Sequence, residues 1–113
     1  MEKFAFNGDD FKAVFASDKW KIGLLRYSER FSKLGVLEKH MLTDEVFVLL
    51  SGSATLYEKE GEEIISCEME PNVVYNIPRD VWHHIVVSED ATVMVVENKD
   101  TSLENTKRVE ISC

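Results

Sequence analysis

From Trp20 onward the chain reads as short runs rich in Val, Ile, Leu, Phe, Tyr and Thr, separated by turn residues at fairly even spacing. That rhythm predicts an all-β fold. The predicted strands cover residues 20–27, 36–41, 45–50, 53–58, 63–68, 73–77, 82–87 and 92–97, with a last one near 107–112. Ser51-Gly52 signals a hairpin between the runs 46–50 and 54–57, and Gly61 signals a second. Pro71 and Pro78 bracket the run 73–77, because proline has no N–H to give to a sheet ladder. About eight short antiparallel strands must close on themselves or pair as two sheets to remove their edges, which predicts a barrel or jelly roll.

Residues 9–17 fit a helical face through Phe11, Val14 and Phe15 but also alternate through Phe11, Ala13 and Phe15, and the alternation is preferred. The polar stretch 98–106 is expected to be an exposed loop. A chain of 113 residues leaves room for one core, so residues 1–113 are read as one domain. Its core barrel covers about 20–112, with the segment 1–19 packing on an edge.

Composition narrows the function. At 44% hydrophobic and 30% charged residues the chain is globular, and its net charge of -8 argues against binding a nucleic-acid backbone, which requires clustered Lys and Arg. Anionic membrane surfaces are disfavoured similarly, and no apolar run is long enough to span a bilayer. Cys67 and Cys113 form neither a disulfide framework nor a zinc spacing. Residues 1–10 have no basic start followed by an apolar stretch, so a cytoplasmic location is the expectation.

Four residues carry the candidate chemistry. Glu38 and His40 are two apart on a predicted strand, so they point to one face about 7 Å apart. Glu45 opens a run of Val, Phe and Leu and is hard to explain as surface, although a register slip of one would turn Asp44 inward instead. His83 follows a proline-containing turn at the start of another strand. Alternation sends the adjacent His84 to the opposite face, where it is expected to be external. Phe31, Phe47, Tyr57, Tyr75 and Trp82 are candidate pocket walls, with plain core the commoner use of aromatics at strand spacing. Arg26, Arg30 and Arg79 are candidates to meet an anion, with surface solvation the commoner use of such residues.

The spacing of these residues resembles the cupin superfamily. That family's first motif is Gly followed by His-any-His, a Glu after three or four residues and a Gly after six more. Here Glu38-Lys39-His40, four residues, Glu45, six residues and Gly52 keep that register. The second motif has a Gly, five residues, Pro-any-Gly, two residues and a His, where this chain has Asn72, Pro78, Asp80 and His83. The resemblance spans roughly residues 35–97. Glu38 departs from it by standing in place of the first metal-binding His, and Val87 by replacing a usual Asn. Asn72 and Asp80 stand in place of glycines, a mild change because both tolerate left-handed turns.

The resemblance implies a double-stranded β-helix, the cupin jelly-roll barrel, with Glu38, His40, Glu45 and His83 around a divalent metal ion. Such oxygen and nitrogen donors suit Fe, Mn, Ni or Zn. Two carboxylates converging in an apolar barrel repel each other, and either a bound cation or protonation of one relieves the conflict. Cupins include dioxygenases, isomerases, decarboxylases, lyases and sugar-sensing domains. Two functions follow as expectations: a metal-dependent enzyme of isomerase, lyase or dioxygenase type acting on a small polar metabolite, or a non-catalytic module holding a carbohydrate or other small-molecule ligand. A homodimer is the expected assembly.

Overall fold

Side-chain burial alternates along the chain as the hydrophobic pattern requires. Between Glu45 and Ser51, residues 45, 47 and 49 are buried while 46 and 48 are only half covered. The computed structural model describes residues 1–111 and contains ten strands. These are β1 (Phe11–Ala16), β2 (Trp20–Arg26), β3 (Val36–His40), β4 (Glu45–Ser51), β5 (Ala54–Glu60), β6 (Glu63–Glu68), β7 (Val74–Ile77), β8 (His83–Val87), β9 (Thr92–Asn98) and β10 (Thr106–Glu110). The expected last strand reaches residue 112, which, like Cys113, lies outside the described residues.

The strands form two five-stranded sheets in the orders β1-β2-β9-β4-β7 and β10-β3-β8-β5-β6, with antiparallel pairing throughout. They face each other as a jelly roll. Phe47, Leu49, Val93 and Val95 from the first sheet meet Leu56, Ile85 and Val87 from the second, all at most 4% exposed. Residues 11–16 lie at one edge of the first sheet, paired with β2. Between β9 and β10 the expected loop contains a 3₁₀ turn, Leu103–Asn105, whose first amides are capped by Ser102 Oγ.

The turns follow their residue types. Gly52 has φ +73°, and a Cβ there would sit 2.5 Å from the Ala91 Cα, so both backbone sign and space demand glycine. Asn72 and Asp80 both adopt φ 66°, the left-handed conformation that glycine would otherwise supply. These turns deliver β4 and β8 to the same end of the barrel.

Leu49 is 1% exposed at the centre of the core. Leu49→Ala should lower unfolding stability by about 2–5 kcal/mol, the usual cost of a buried leucine and the cavity it leaves. A urea-denaturation midpoint close to that of the unmodified chain would contradict the assigned core.

Candidate metal centre

The inward-facing rows of three strands run from apolar to polar in the same direction. β4 presents Leu49, Phe47 and then Glu45; β9 presents Val93, Val95 and then Glu97; β8 presents Val87, Ile85 and then His83. Antiparallel pairing places the polar members at one end. β4 and β9 pair through Val46 and Val96, so Glu45 and Glu97 lie opposite each other one step further on. Glu38 on β3 pairs with His83 on β8, which brings the second sheet's ligand candidates to the same end.

Three of the four expected residues converge. Glu45 Oε1 lies 3.0 Å from His83 Nε2 and 3.2 Å from His40 Nε2. The ligand-capable atoms of His40, Glu45 and His83 are all within 4.8 Å of one another. Each imidazole is oriented from behind: His83 Nδ1 is 3.0 Å from the Val81 carbonyl, and His40 Nδ1 is 2.8 Å from Thr106 Oγ1. Phe47 presents its ring edge-on to His83 at 6.0 Å between centroids. Glu45 and His83 are 7% and 5% exposed.

Glu38 is placed differently. It lines the same cavity but is not among the three converging groups, and its Oε1 accepts a hydrogen bond of 3.0 Å from the Arg108 guanidinium. Asp44 faces away from the centre, accepting from Asn76 Nδ2 and from the Arg79 amide, so it fastens the turn and Glu45 is the inward carboxylate. His84 corrects an expectation: it is 5% exposed rather than external. The segment carrying the 3₁₀ turn Glu29–Phe31 covers it, with Phe31 stacked on its ring at 6.2 Å. Burial holds that imidazole's pKa below its ordinary value, so it stays neutral.

Glu97 is the buried residue that sequence reasoning passed over. It ends a strongly β run and looks like a surface glutamate, yet residues 93, 95 and 97 share one parity and the first two are fully buried. Its carboxyl meets that of Glu45, and Lys21 Nζ lies 3.7 Å away.

Charge and burial compete among these groups. Burial opposes ionisation of Glu45, but hydrogen bonds from His40 and His83 together with the charge of His40 outweigh it and hold the carboxyl well below the usual carboxylate range. Burial pulls the His40 imidazole down, while the hydrogen bond and charge of Glu45, with Glu97 and Glu38 beyond, pull it up further. For Glu97, burial and the neighbouring Glu45 act together and push it up to about 8, against Lys21 and His40. The centre thus pairs an ionised Glu45 with a protonated Glu97 beside it.

All of these groups open on one cavity of about 260 Å³. Phe11, Leu25, Phe31, Phe47, Ile85 and Val95 form its apolar walls, so Phe31 and Phe47 are the two expected aromatics that line it. Residues 101–103, Thr106 and Arg108 contribute at its rim, and Arg30 joins them while holding Asp10 at 2.7 Å.

No protein-family model matches the chain, and no curated protein matches it in sequence. Solved structures do match. A cupin-2 domain containing protein from Shewanella frigidimarina superposes with a TM-score of 0.58 at 23% identity, over 83% of this chain and 85% of that one. The capsular polysaccharide assembling protein CapF from Staphylococcus aureus gives 0.71 at 20% identity, over 98% of this chain and 35% of CapF. Oxalate decarboxylase from Bacillus subtilis gives 0.65 at 16% identity, over 82% of this chain and 25% of that one. The chain therefore has the cupin fold, the double-stranded β-helix, and spans about a third of CapF and a quarter of the decarboxylase.

The raised pKa of Glu97 has a definite sign in stability. Between about 4.5 and about 8 the folded chain holds a proton that the unfolded chain has released, so this contribution is complete at the acid end and is lost as pH rises across the window. In chelator-treated protein, the urea midpoint should fall with rising pH across that window more steeply for the unmodified chain than for Glu97→Gln. Identical slopes would show that Glu97 titrates normally.

Proposed function

We propose that this chain is a divalent-metal cupin whose ion is held by His40, Glu45 and His83, and that it acts on a small polar metabolite entering the cavity between the sheets. The convergence of three ligand-capable atoms within 4.8 Å, at the polar end of an otherwise apolar barrel, carries this reading. Two imidazole nitrogens and one carboxylate oxygen are a donor set suited to Fe, Mn, Ni or Zn.

The geometry inside the triad supports the fit. Ligands about 2.1 Å from an ion and at right angles to each other lie about 3.0 Å apart. The two imidazole nitrogens stand 3.0 and 3.2 Å from Glu45 Oε1. Because a backbone carbonyl only accepts, His83 Nδ1 donates to Val81, which fixes the ring so that its Nε2 faces Glu45 Oε1. The 3.0 Å contact between His83 Nε2 and Glu45 Oε1 is bridged by a proton in the metal-free chain, and a divalent ion would bridge the same two atoms. The contacts of Val81 and Thr106 behind the rings are the outer hydrogen bonds that metal-binding histidines commonly have.

A bound divalent ion would act as a Lewis acid or oxygen-activating centre. The chain's own part is to orient the metabolite and to handle protons. In this reading Glu38, its charge held by Arg108, serves at the cavity as a carboxylate able to take or return a proton, which suits isomerase or lyase chemistry. The apolar walls exclude water from one side of the bound molecule while the rim meets its polar groups.

Protein purified and reconstituted without oxygen should retain stoichiometric Fe²⁺, Mn²⁺, Ni²⁺ or Zn²⁺ by elemental analysis and gain thermal stability from it. Binding should weaken at acid pH, because the ion must displace the proton that Glu45 helps His40 to keep. His40→Ala, Glu45→Gln and His83→Ala should each weaken binding by more than about 100-fold, beyond the usual cost of outer-shell changes. Retention of metal by all three variants, or none in the unmodified chain, would overturn the reading. Stabilisation by sugars irrespective of chelator would point instead to a binding module.

A further inference from the structure

Glu97 is the second carboxyl on the inner face at this end of the barrel. It sits in a cross-strand row: Lys21 on β2 pairs with Glu97 on β9, and Glu45 on β4 lies one step beyond the Val46 and Val96 pair. Directly opposed residues on neighbouring strands have Cβ atoms about 4.5–5.5 Å apart, so the two glutamate side chains share one space. Glu97 is 9% exposed. The cation beside it, Lys21 Nζ at 3.7 Å, already donates to the Thr101 carbonyl at 2.9 Å. Its polar neighbour on the other side is Glu45, itself turned towards His40 and His83.

Glu38 has the opposite setting. Its side chain is more exposed, at 20% against 8% for Glu97 in the ion pairs that each forms, and Arg108 occupies its Oε1 at 3.0 Å. To turn a charge-bearing oxygen to the triad it would give up that guanidinium. Glu97 likewise lies outside the three converging groups, but its ion-pair partner Lys21 is at the longer distance of 3.7 Å and already donates to the Thr101 carbonyl. Its position directly across from Glu45 puts its side chain beside the triad. Two carboxylates side by side in an apolar barrel repel each other, and a dication between them is the direct electrostatic remedy.

On the reading that His40, Glu45 and His83 hold a divalent ion, we propose that Glu97 is its fourth protein ligand, in the role that the spacing of Glu38 and His40 had assigned to Glu38. In this role the Glu97 carboxylate would hold the ion beside Glu45, and Lys21 would steady its outer side. The fourth ligand then comes from the first sheet, so the ion is held by two residues from each sheet.

The test compares Mn²⁺ affinity by calorimetry and the visible absorption of the Co²⁺-loaded protein in the unmodified chain, Glu97→Gln, Glu97→His and Glu38→Gln. Glutamine matches glutamate in shape and can still donate to Glu45, so a merely supporting role would survive Glu97→Gln. The expected result is a loss of Mn²⁺ affinity of more than about 100-fold and an altered Co²⁺ spectrum in Glu97→Gln, with affinity restored in Glu97→His. Glu38→Gln should leave both readouts unchanged. Urea unfolding of the chelated variants separates misfolding from ligand loss.

Tight Mn²⁺ binding and an unchanged spectrum in Glu97→Gln would overturn the proposal and leave the three-ligand centre standing. Loss of affinity in Glu38→Gln instead would return the fourth place to Glu38. An unmodified chain that binds neither Mn²⁺ nor Co²⁺ would remove the centre itself, and the role of Glu97 with it.

Discussion

A carboxylate can be buried only where charge and hydrogen bonds compensate for lost water, and Glu45 meets that condition through two imidazoles on one oxygen. The three residues come from different strands and from both sheets: Glu45 from β4, His40 from β3 and His83 from β8. Their meeting therefore depends on the jelly roll being closed at this end. The dependence also runs the other way. If His40 and His83 were drawn apart, Glu45 would be left as an uncompensated buried charge, so the centre ties the two sheets together where the apolar core stops.

One parity rule produces both the core and the site. Along β4, β8 and β9 the same face that carries Leu49, Phe47, Ile85, Val93 and Val95 ends in Glu45, His83 and Glu97. Leucine or valine at those last positions would extend the core and remove the cost of burying Glu45 and Glu97 side by side. Such local conflict with the rules of core packing is what a functional end of a fold looks like. The Nε2 of buried His84, without a hydrogen-bond partner among the described residues, is a smaller case of the same kind, since Phe31 covers the ring with an aromatic face.

The parts of this arrangement that rest on local chain geometry were legible in the sequence. Alternating runs and turn residues set the strands, and the left-handed turns at Asn72 and Asp80 follow from residue type. His40, Glu45 and His83 could be named because strand parity and the cupin spacing select the same residues. What escaped depends on contacts distant in sequence. Nothing near Glu38 reveals Arg108, which lies 70 residues away and reaches it only because β10 pairs with β3. Alternation separates His84 from His83, but whether its face is wet depends on how the segment between β2 and β3 crosses it, and Phe31 from that segment stacks on its ring. Glu97 belongs to no motif, and its position at the end of a hydrophobic strand resembles an exit to solvent.

Charge bookkeeping gives the placement of Glu97 its chemical meaning. A centre of neutral imidazoles and one carboxylate around a dication keeps a net charge of +1, which is costly in a cavity walled by Phe31, Phe47 and Val95 and which an anionic metabolite would neutralise. With Glu97 as a second carboxylate ligand the centre is neutral. Glu38 with Arg108 and Asp10 with Arg30 are internally balanced pairs at the same cavity, so they do not disturb that sum. The remaining unbalanced charge beside the centre is then Lys21, whose ammonium is tied to the Thr101 carbonyl on the segment that leads into the rim. Anion attraction would in that case come from one lysine near the rim rather than from the ion, and an uncharged polar metabolite could approach the ion without opposing a net field.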